Sequence, residues 1–370
     1  MILGLFPELS AAGGVQRAGR LTAAVLASFA GGRGERCVFL SLNDQAGTTP
    51  LRVGSQEIVF TGFSRSKKRF LSAALRAAFK GPTLAIAFHP YLAPVLAAVK
   101  ICAQRTRTIT FAHGVEVWTP LAPLRQWSLR RSDLVLAPSA DTVLRLTAQQ
   151  GIPEQKVRKL AWTLGPEFNP DVTSWAAPCM PFAFPHGRIV LTVGRWDAAE
   201  AYKGIDHLIM ALPSLLDDVP DVHLVAIGHG SDLPRLVQLV HQCGVVGRVH
   251  FHSFLYPEEL WSAYDFCDVF ALPSRGEGFG LVFLEAMAHA KPVIGGAHGG
   301  TPEVVEDGVN GYLVQHGDVG QLVDRLRRLL TNQSLRCEMG TRGRERVLKY
   351  FTFDRFSGEF KALLQTLLAS

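Results

Sequence analysis

The sequence predicts an α/β protein with two domains, each built around a doubly wound parallel sheet. Its 370 residues exceed one ordinary hydrophobic core, and a prior of about 150 residues per domain favours two units. Short apolar runs alternate with longer helical patterns along the chain, as expected for parallel strands joined by helices. Residues 166–187 hold five prolines and little periodicity, which indicates an interdomain linker.

Strands are predicted where a short apolar run is bounded by turn-forming or charged residues. After a short apolar strand at the N-terminus, the first half has candidates at 36–42, 84–88, 108–112 and 134–137. The second half has candidates at 188–193, 222–227, 249–251, 269–272 and 292–294. Each half therefore has enough strands for a sheet of its own, and the final segment 351–370 has a helical pattern.

Charge is distributed unevenly between the halves. Residues 1–170 contain 21 Lys and Arg against 9 Asp and Glu, whereas the remainder contains 17 against 23. A basic first half indicates an anionic partner, which is nucleic acid, an acidic lipid surface or a phosphorylated acceptor. With 48% hydrophobic and 19% charged residues, the composition excludes a disordered chain.

Targeting and cysteine patterns predict a cytoplasmic protein. No basic region precedes the first apolar residues, and Pro7 and Glu8 interrupt them, so we expect no signal peptide. The longest apolar stretch, 84–103, contains His89 and Lys100 and is not a membrane span. The six cysteines are scattered without a Cys-x-x-Cys pair, which predicts reduced, mostly buried thiols.

A glycine-rich loop that leaves a strand and opens a helix is the strongest chemical signal. Residues 273–288 read Pro-Ser-Arg-Gly-Glu-Gly-Phe-Gly-Leu-Val-Phe-Leu-Glu-Ala-Met-Ala. Such a loop lets backbone amides approach a phosphate at the helix N-terminus. Glu277 lies in the loop and Glu285 on the apolar helix, where an unpaired carboxylate costs several kcal/mol. Ligand hydroxyls would satisfy Glu285, and so would the amides of another loop.

These residues resemble the two-glutamate signature of retaining glycosyltransferase family four, in which seven residues separate the glutamates within Gly-Phe-Gly-x-x-x-x-Glu-Ala. Further matching motifs are Val193-Gly194-Arg195, Lys203-Gly204, Ile227-Gly228-His229-Gly230, Ala271-Leu272-Pro273-Ser274, Lys291-Pro292-Val293, Gly299-Gly300 and Gly308-Val309-Asn310-Gly311-Tyr312-Leu313-Val314. The resemblance implies the GT-B fold, which has two Rossmann-like domains facing each other across a donor/acceptor cleft.

The resemblance implies a role for each matching residue in the second half. Glu285 would hold the ribose hydroxyls of the donor nucleotide, and Glu277 would hold hydroxyls of the donor sugar. The donor-binding backbone of the loop would be Gly278, Phe279, Gly280 and Leu281. Arg195 and Lys203 would bind the diphosphate, because a guanidinium and an ammonium stabilise leaving-group charge where a metal would otherwise be needed. Solvated surface positions are the alternative for these two cations. No cofactor and no metal site are implied.

The first half has weaker matches. Gly13-Gly14 precedes a helical pattern and resembles the family's first loop, where Gly14 would approach the donor phosphate or the acceptor; a plain tight turn is the alternative. His113 follows a strand, where open parallel sheets bind ligands, and the family has a His-Gly near the donor sugar there. A structural histidine is the alternative for His113, and His89 is a similar, weaker candidate. Trp162 opens a stretch that departs from the Asn-Gly-Val-Asp of many relatives.

Residues 65–80 predict a basic amphipathic helix. Its basic side chains are Arg65, Lys68, Arg69, Arg76 and Lys80, and its apolar side chains are Phe70, Leu71, Ala74 and Ala78. Near an anionic leaflet each cation contributes about 1 kcal/mol, so the helix would hold the enzyme at the inner face of a membrane. Alternatively, its apolar face packs on the protein's own sheet.

The sequence therefore predicts a retaining, metal-independent glycosyltransferase that moves a hexose from a nucleotide-diphosphate sugar to a glycan or lipid-linked acceptor. The expected context is bacterial cell-surface polysaccharide or glycolipid synthesis, without a nucleic-acid partner. Residues 1–168 would bind the acceptor, 169–187 link the domains, 188–350 bind the nucleotide sugar, and 351–370 form a helix that crosses back. A non-catalytic nucleotide-sugar or anionic-ligand binding protein is the alternative. A dinucleotide-dependent oxidoreductase is disfavoured, because Gly228-His229-Gly230 lacks the third glycine of the fingerprint.

Overall fold

The computed structural model describes residues 1–168, 184–253 and 255–369. Most of the expected linker, residues 169–183, lies outside this range. The chain divides into two compact units, of which one comprises Met1–Phe168 and Phe351–Ser370 and the other Asn169–Tyr350.

The first unit is an eight-stranded sheet covered by helices. Its strands are β1 (Ile2–Phe6), β2 (Cys37–Ser41), β3 (Gly47–Val53), β4 (Gln56–Gly62), β5 (Leu84–Ala87), β6 (Arg107–Phe111), β7 (Leu134–Ala137) and β8 (Val157–Lys159). Its helices are α1 (Gly14–Gly31), α2 (Lys67–Ala78), α3 (Ala93–Cys102), α4 (Pro123–Arg130), α5 (Ala140–Ala148) and the C-terminal α13 (Phe353–Ala369). The strand order is β3-β4-β2-β1-β5-β6-β7-β8, and each pairing is parallel except that of β3 with β4.

The second unit is a six-stranded parallel sheet. Its strands are β9 (Arg188–Arg195), β10 (Val222–His229), β11 (Val249–His252), β12 (Val269–Leu272), β13 (Val293–Gly296) and β14 (Gly311–Val314), in the order β11-β10-β9-β12-β13-β14. Its helices are α6 (Ile205–Leu216), α7 (Leu233–Gln242), α8 (Pro257–Phe266), α9 (Leu281–Ala288), α10 (Thr301–Val304), α11 (Val319–Thr331) and α12 (Gln333–Tyr350). Buried aliphatic side chains from α6, α7 and α11 pack against one face of this sheet.

Each sheet has one point where the chain reverses its direction of strand addition. In the first unit this point lies between β1 and β5, and in the second it lies between β9 and β12. Ligands bind outside the carboxyl ends of the strands at such points, because the loops there diverge and leave a crevice. Chemistry-bearing residues should therefore be sought after β1, β5, β9 and β12.

The strands predicted from apolar runs agree with the structure to within two residues at each end. The strands β3, β4, β8 and β14 were not predicted, and for β3 the reason lies in its burial. In β3 only Val53 is buried, so the strand lacks the apolar run that marks a central strand. The sequence of an antiparallel edge strand with one solvated face alternates between apolar and polar residues and is largely polar.

Helix α13 belongs to the first unit although it ends the chain. Phe360 packs edge-to-face on Phe111 of β6, and Phe356 lies 5.9 Å between ring centroids from Trp162. Lys361 donates a hydrogen bond of 3.0 Å to Ser28 on α1. Burial of these aromatic side chains holds the last helix against the first domain's sheet.

The basic amphipathic segment forms helix α2, and its burial decides whether its apolar face packs on the protein's own sheet or is free to meet a membrane. Its apolar face, which contains Phe70 and Ala74, packs against β1, β2 and α3 and is buried. Leu71 was placed on that face by the sequence, but it is 38% exposed, because it points away from the core formed by Phe70. The apolar face is thus unavailable to a lipid leaflet, whereas the basic side chains are exposed.

Two further expectations concern membranes and thiols. Among the described residues no helix is both long and apolar enough to cross a bilayer.

The expectation of mostly buried cysteines is wrong for the described part of the chain, since Cys267 is buried but Cys102 and Cys337 are exposed. Both exposed cysteines lie on helices, and the burial of a helical residue depends on which face of the helix it occupies as well as on its hydrophobicity.

Candidate functional site

The predicted diphosphate and sugar residues of the second unit lie at its topological switch point. Arg195 is the last residue of β9, and Glu277 lies in the loop between the adjacent strand β12 and helix α9. Lys203 ends a short 3₁₀ segment, Ala198–Lys203, that follows β9. The parallel sheet thus brings Glu277 close to Arg195 and Lys203, which lie far from it in the sequence.

Both cations contact one carboxylate, that of Glu200. Lys203 Nζ lies 2.7 Å from Glu200 Oε2, and Arg195 Nη2 is paired with Glu200 Oε1. Lys203 is 13% exposed, so the alternative of a solvated surface cation does not apply to it, whereas Arg195 is 65% exposed. The lysine side chain packs over Gly194 near the end of β9, where a Cβ would sit 3.5 Å from Nζ, an ordinary van der Waals contact.

Glu277 has a buried oxygen with unused hydrogen-bonding capacity. Within the described residues its Oε1 atom is buried and has no hydrogen-bond donor. Burial raises the pKa of the Glu277 carboxyl, the positive charges of Lys203 and Arg195 lower it, and the charge of Glu200 raises it further. A buried unsatisfied acceptor costs about 1–3 kcal/mol, so a ligand hydroxyl that donates to Oε1 would be bound favourably.

The backbone around Glu277 is held from two sides. Gly300 N donates to Glu277 O at 2.7 Å, and Arg275 N donates to Tyr202 O, also at 2.7 Å. Gly280 has φ +94° and caps α9, a conformation that a residue with a Cβ adopts only under strain. The loop containing Gly278, Phe279 and Leu281 is therefore fixed to the segments after β9 and β13 as it enters the helix.

Glu285 lies on α9 with a partner that the sequence did not reveal. The hydroxyl of Tyr264 donates to Glu285 Oε2 at 2.8 Å. Tyr264 is fully buried on α8 and stacks against His289 at 5.7 Å between ring centroids. For this oxygen the partner within the protein is thus a tyrosine hydroxyl, which orients the carboxylate, and not an amide of another loop, which was the alternative to a ligand.

In the first unit, Gly13 and Gly14 form the start of α1 after β1. Gly13 has φ +139° and precedes the helix, which begins at Gly14. The loop before them is held by Asp44, whose oxygens accept from Leu9 N at 2.7 Å and Ser10 N at 3.1 Å. Arg20 donates at 2.9 Å to two carbonyl oxygens of the same loop. The segment before Gly13 is therefore a loop fixed by the side chains of Asp44 and Arg20, and not a plain tight turn.

His113 and His89 form a stacked pair near the carboxyl ends of β5 and β6. Their ring centroids are 5.6 Å apart. Trp162 also stacks on His113, with 5.5 Å between the two ring centroids. His113 Nε2 lies 2.7 Å from Phe88 O, and since a carbonyl only accepts, Nε2 carries the proton. Burial lowers the pKa of His113, so the ring is neutral near pH 7.

The pKa of His89 gives a stability test of this pair. Burial and the neighbouring His113 lower the pKa of His89 from 6.5 to about 4. Between these values the unfolded chain binds a proton that the folded chain does not, so folding stability is lost as pH falls from 6.5 towards 4. We expect the difference in Tm between wild type and His89→Gln to shrink across this range. Thermal scans of both proteins and of His186→Gln, an exposed control, at pH 4.5 to 7.5 check this; an unchanged difference would contradict it.

Metal ligands are not brought together in the described part of the chain. Within it, no three His, Cys, Asp or Glu side chains have an arrangement suited to a metal ion. Metal independence stays a prediction that activity measurements decide.

Comparison with known proteins decides the family. The chain matches the profile of Glycosyltransferase Family 4 over residues 19–160 and that of Glycosyl transferases group 1 over residues 183–346. It is 31% identical over 275 residues to the GDP-mannose-dependent alpha-(1-6)-phosphatidylinositol monomannoside mannosyltransferase of Mycobacterium tuberculosis, covering 71% of this chain and 70% of that protein. The chain belongs to glycosyltransferase family 4.

Other relatives of this glycosyltransferase agree with that assignment. The sulfoquinovosyl transferase of Arabidopsis thaliana is 32% identical over 236 residues, which is 60% of this chain and 44% of that protein. HepE of Anabaena in complex with UDP matches with a TM-score of 0.77 at 18% identity over 99% of both chains. Sucrose-phosphate synthase from Thermosynechococcus elongatus matches with the same score at 21% identity, covering 100% of this chain and 99% of that one. The predicted GT-B fold is confirmed.

Sequence reasoning missed several residues that support the candidate site residues of each unit. They are Glu200, Tyr264, Trp162, Asp44 and Arg20. None stands in a motif with a fixed spacing. Glu200, Tyr264 and Trp162 contact candidate residues that the sequence did reveal, whereas Asp44 and Arg20 hold the loop that precedes Gly13. Trp162 had a signal, because the departure from the common Asn-Gly-Val-Asp stretch begins there, but only the structure shows that it stacks on His113.

Proposed function

We propose that this glycosyltransferase moves a hexose from a nucleoside-diphosphate sugar to a glycan or lipid-linked acceptor, with retention and without a metal ion. The observation that carries the proposal is the unsatisfied, buried Glu277 Oε1 beside Lys203 and Arg195 at the switch point of the second sheet. Sugar hydroxyls donate to carboxylates, and diphosphate oxygens pair with Lys and Arg, so one nucleotide sugar satisfies all three groups.

The chemistry needs stabilisation of a leaving nucleoside diphosphate. The bond from the anomeric carbon to the diphosphate oxygen breaks with both electrons going to that oxygen, and Arg195 and Lys203 stabilise the negative charge. The acceptor hydroxyl attacks the anomeric carbon on the face that the diphosphate leaves, and its proton passes to the departing phosphate. Glu277 holds the sugar through this step, and Glu285, fixed by Tyr264, holds the ribose hydroxyls.

In this proposal the first unit binds the acceptor and also supplies His113, which the family resemblance places near the donor sugar. His113 is neutral, and its protonated Nε2 is occupied by Phe88 O, so its Nδ1 is the nitrogen that can accept from a sugar hydroxyl. In neutral His89, Nδ1 accepts from Tyr91 N at 3.1 Å, which leaves the Nε2 proton for a ligand oxygen. The relatives named above include an enzyme whose acceptor is a phosphatidylinositol mannoside, which supports a lipid-linked acceptor here.

Contact with an anionic membrane surface is proposed for α2 together with α4. Three cations, Lys67, Lys68 and Arg69, open α2, and its first turn has no acidic residue, although positive charge there is unfavourable with the helix dipole. Lys67 Nζ and Arg125 Cζ lie 5.7 and 4.9 Å from the ring centroid of Tyr91, so α2 and α4 are neighbours. The surface of α4 adds the exposed apolar side chains of Leu124 and Trp127.

Vesicle flotation tests this contact. We expect the wild type to float with anionic vesicles at low salt, and reversal of Lys67, Lys68 and Arg69 to Glu to weaken binding by about 10²-fold or more, since each cation contributes about 1 kcal/mol. The matched control reverses three exposed cations of the second unit, Arg328, Arg342 and Lys349. Equal binding of wild type to anionic and neutral vesicles would sink the proposal for the membrane.

The proposed reaction is tested on a panel of nucleotide sugars with the purified protein. We expect slow release of one nucleoside diphosphate from one donor, unchanged by a metal chelator and accelerated by a suitable glycolipid acceptor. NMR of the product gives the anomeric configuration. Loss of turnover on chelation would exclude metal independence, and binding without turnover for every donor and acceptor would favour the non-catalytic alternative.

A further inference from the structure

Glu200 is the one residue that the function proposed above does not use although it touches both diphosphate cations. Its two carboxylate oxygens are divided between Arg195 Nη2 and Lys203 Nζ, and the carboxylate is itself only 15% exposed. Its negative charge is also felt by Glu277, whose pKa it raises. Glu200 is therefore part of the charge arrangement of the site.

The charges of this group balance without a ligand phosphate. Arg195 and Lys203 supply two positive charges, and Glu200 and Glu277 supply two negative ones when ionised. A diphosphate brings about two further negative charges, and while Glu200 keeps both cations these charges would lie beside the carboxylates of Glu200 and Glu277 without a cation of their own. Either Glu200 gives up its ion pairs or the diphosphate binds weakly.

The backbone around Glu200 is held, so the carboxylate can withdraw by rotation of its side chain alone; Glu200 N donates to Asp197 O at 2.7 Å. Glu200 has φ −110° and ψ 18°, which interrupts the 3₁₀ segment at this residue. On one side, Ala198 N donates to Ser231 Oγ at 3.1 Å, and on the other, Arg275 N donates to Tyr202 O at 2.7 Å. The segment is thus fixed at both ends, and Glu200 lies at the break between them.

We propose that Glu200 is an internal competitor for the diphosphate, which pairs with Arg195 and Lys203 and exchanges places with the bound nucleotide at each turnover. The inference rests on the function proposed above. In the donor complex Glu200 releases both cations; after transfer it re-forms its ion pairs and speeds departure of the nucleoside diphosphate. When a ligand must displace a competing group, its apparent Kd equals its intrinsic Kd divided by the fraction of molecules in which that group has withdrawn.

The experiment compares nucleoside diphosphate binding to wild type and Glu200→Gln. Glutamine keeps the size of the side chain but removes the charge that competes. We therefore expect the Kd for the nucleoside diphosphate to fall by about tenfold, which is the size of effect expected when one charge pair is weakened. Product inhibition should become stronger by a similar factor, and kcat should fall if release limits turnover. Isothermal titration with uridine, guanosine and adenosine diphosphates gives Kd, and steady-state kinetics give the inhibition constant and kcat.

Two controls keep the result interpretable. Glu338→Gln makes the same charge change on α12, where Glu338 forms an exposed ion pair with Arg342, and it should leave Kd unchanged. Glu200→Ala removes the side chain altogether and should also tighten binding, which guards against a glutamine that still bonds to Lys203.

Weaker or unchanged binding in both Glu200 variants would overturn the inference, because it would mean that Glu200 serves only to position the two cations. That outcome differs from failure of the proposed function itself, in which wild type binds no nucleoside diphosphate at all. Tighter binding in both variants, with Glu338→Gln unchanged, supports the inference.

Discussion

Replacing Glu277 by glutamine is expected to lower the rate of sugar transfer by about 10³-fold, because the carboxylate is the group proposed to hold the hydroxyls of the reacting sugar. Binding of the nucleoside diphosphate alone should change little, since that product lacks the sugar. The two effects are separated by steady-state kinetics with the nucleotide sugar and by titration with the nucleoside diphosphate. Glu338→Gln, which makes the same charge change away from the site, should leave both unchanged.

The same substitution should stabilise the protein. Burial raises the pKa of the Glu277 carboxyl above its ordinary value of 4.5, so the folded chain binds this proton more tightly than the unfolded chain. Stability is consequently lost as pH rises from 4.5 through the folded pKa. Glutamine stays neutral and removes that dependence, so the Tm of Glu277→Gln should exceed that of wild type at pH 8, with a smaller difference at pH 4.5. A variant that is both slower and less stable at pH 8 would indicate a structural role instead.

Removing the buried cation is expected to have the second large effect. Lys203→Met should slow transfer by about 10²–10³-fold, because a preorganised positive charge at the leaving group is lost. Binding of the nucleoside diphosphate should weaken as well, since its oxygens lose the same partner. Lys203→Arg keeps the charge with a different shape and should restore part of both.

The methionine variant should also be less stable. Lys203 is 13% exposed and pairs with Glu200, and its charge lowers the pKa of the buried Glu277. Without it, two carboxylates face each other with only the exposed Arg195 beside them, so the Tm should fall. Lys349→Met, an exposed lysine on α12, serves as the control for thermal scans and kinetics. Normal transfer by Lys203→Met would refute the role of this lysine.

Arg195 is expected to contribute less than Lys203. Both touch Glu200, but Arg195 is 65% exposed and solvent screens its charge. Sequence alone does not rank the two cations, since both stand in family motifs. Burial ranks them, since the side chain of Lys203 is 13% exposed and that of Arg195 is 65% exposed.

By itself the sequence determined the family, the two-domain α/β organisation and the motif residues. Glycine-rich loops, the two glutamates and the apolar strands are local patterns, in which neighbouring residues are enough to reveal the constraint. Strands that are buried on both faces, such as β5 and β7, were visible for the same reason.

Only the tertiary structure decided which side chains share a charge or a hydrogen bond. Glu200 takes both cations, Tyr264 orients Glu285 across 21 residues of sequence, and Trp162 stacks on His113 from a different strand end. Likewise, the packing of Phe70 turned Leu71 towards solvent, which the helical wheel had placed inside. These contacts depend on the order of strands in the sheet, and a parallel sheet joins the ends of strands that no local pattern relates.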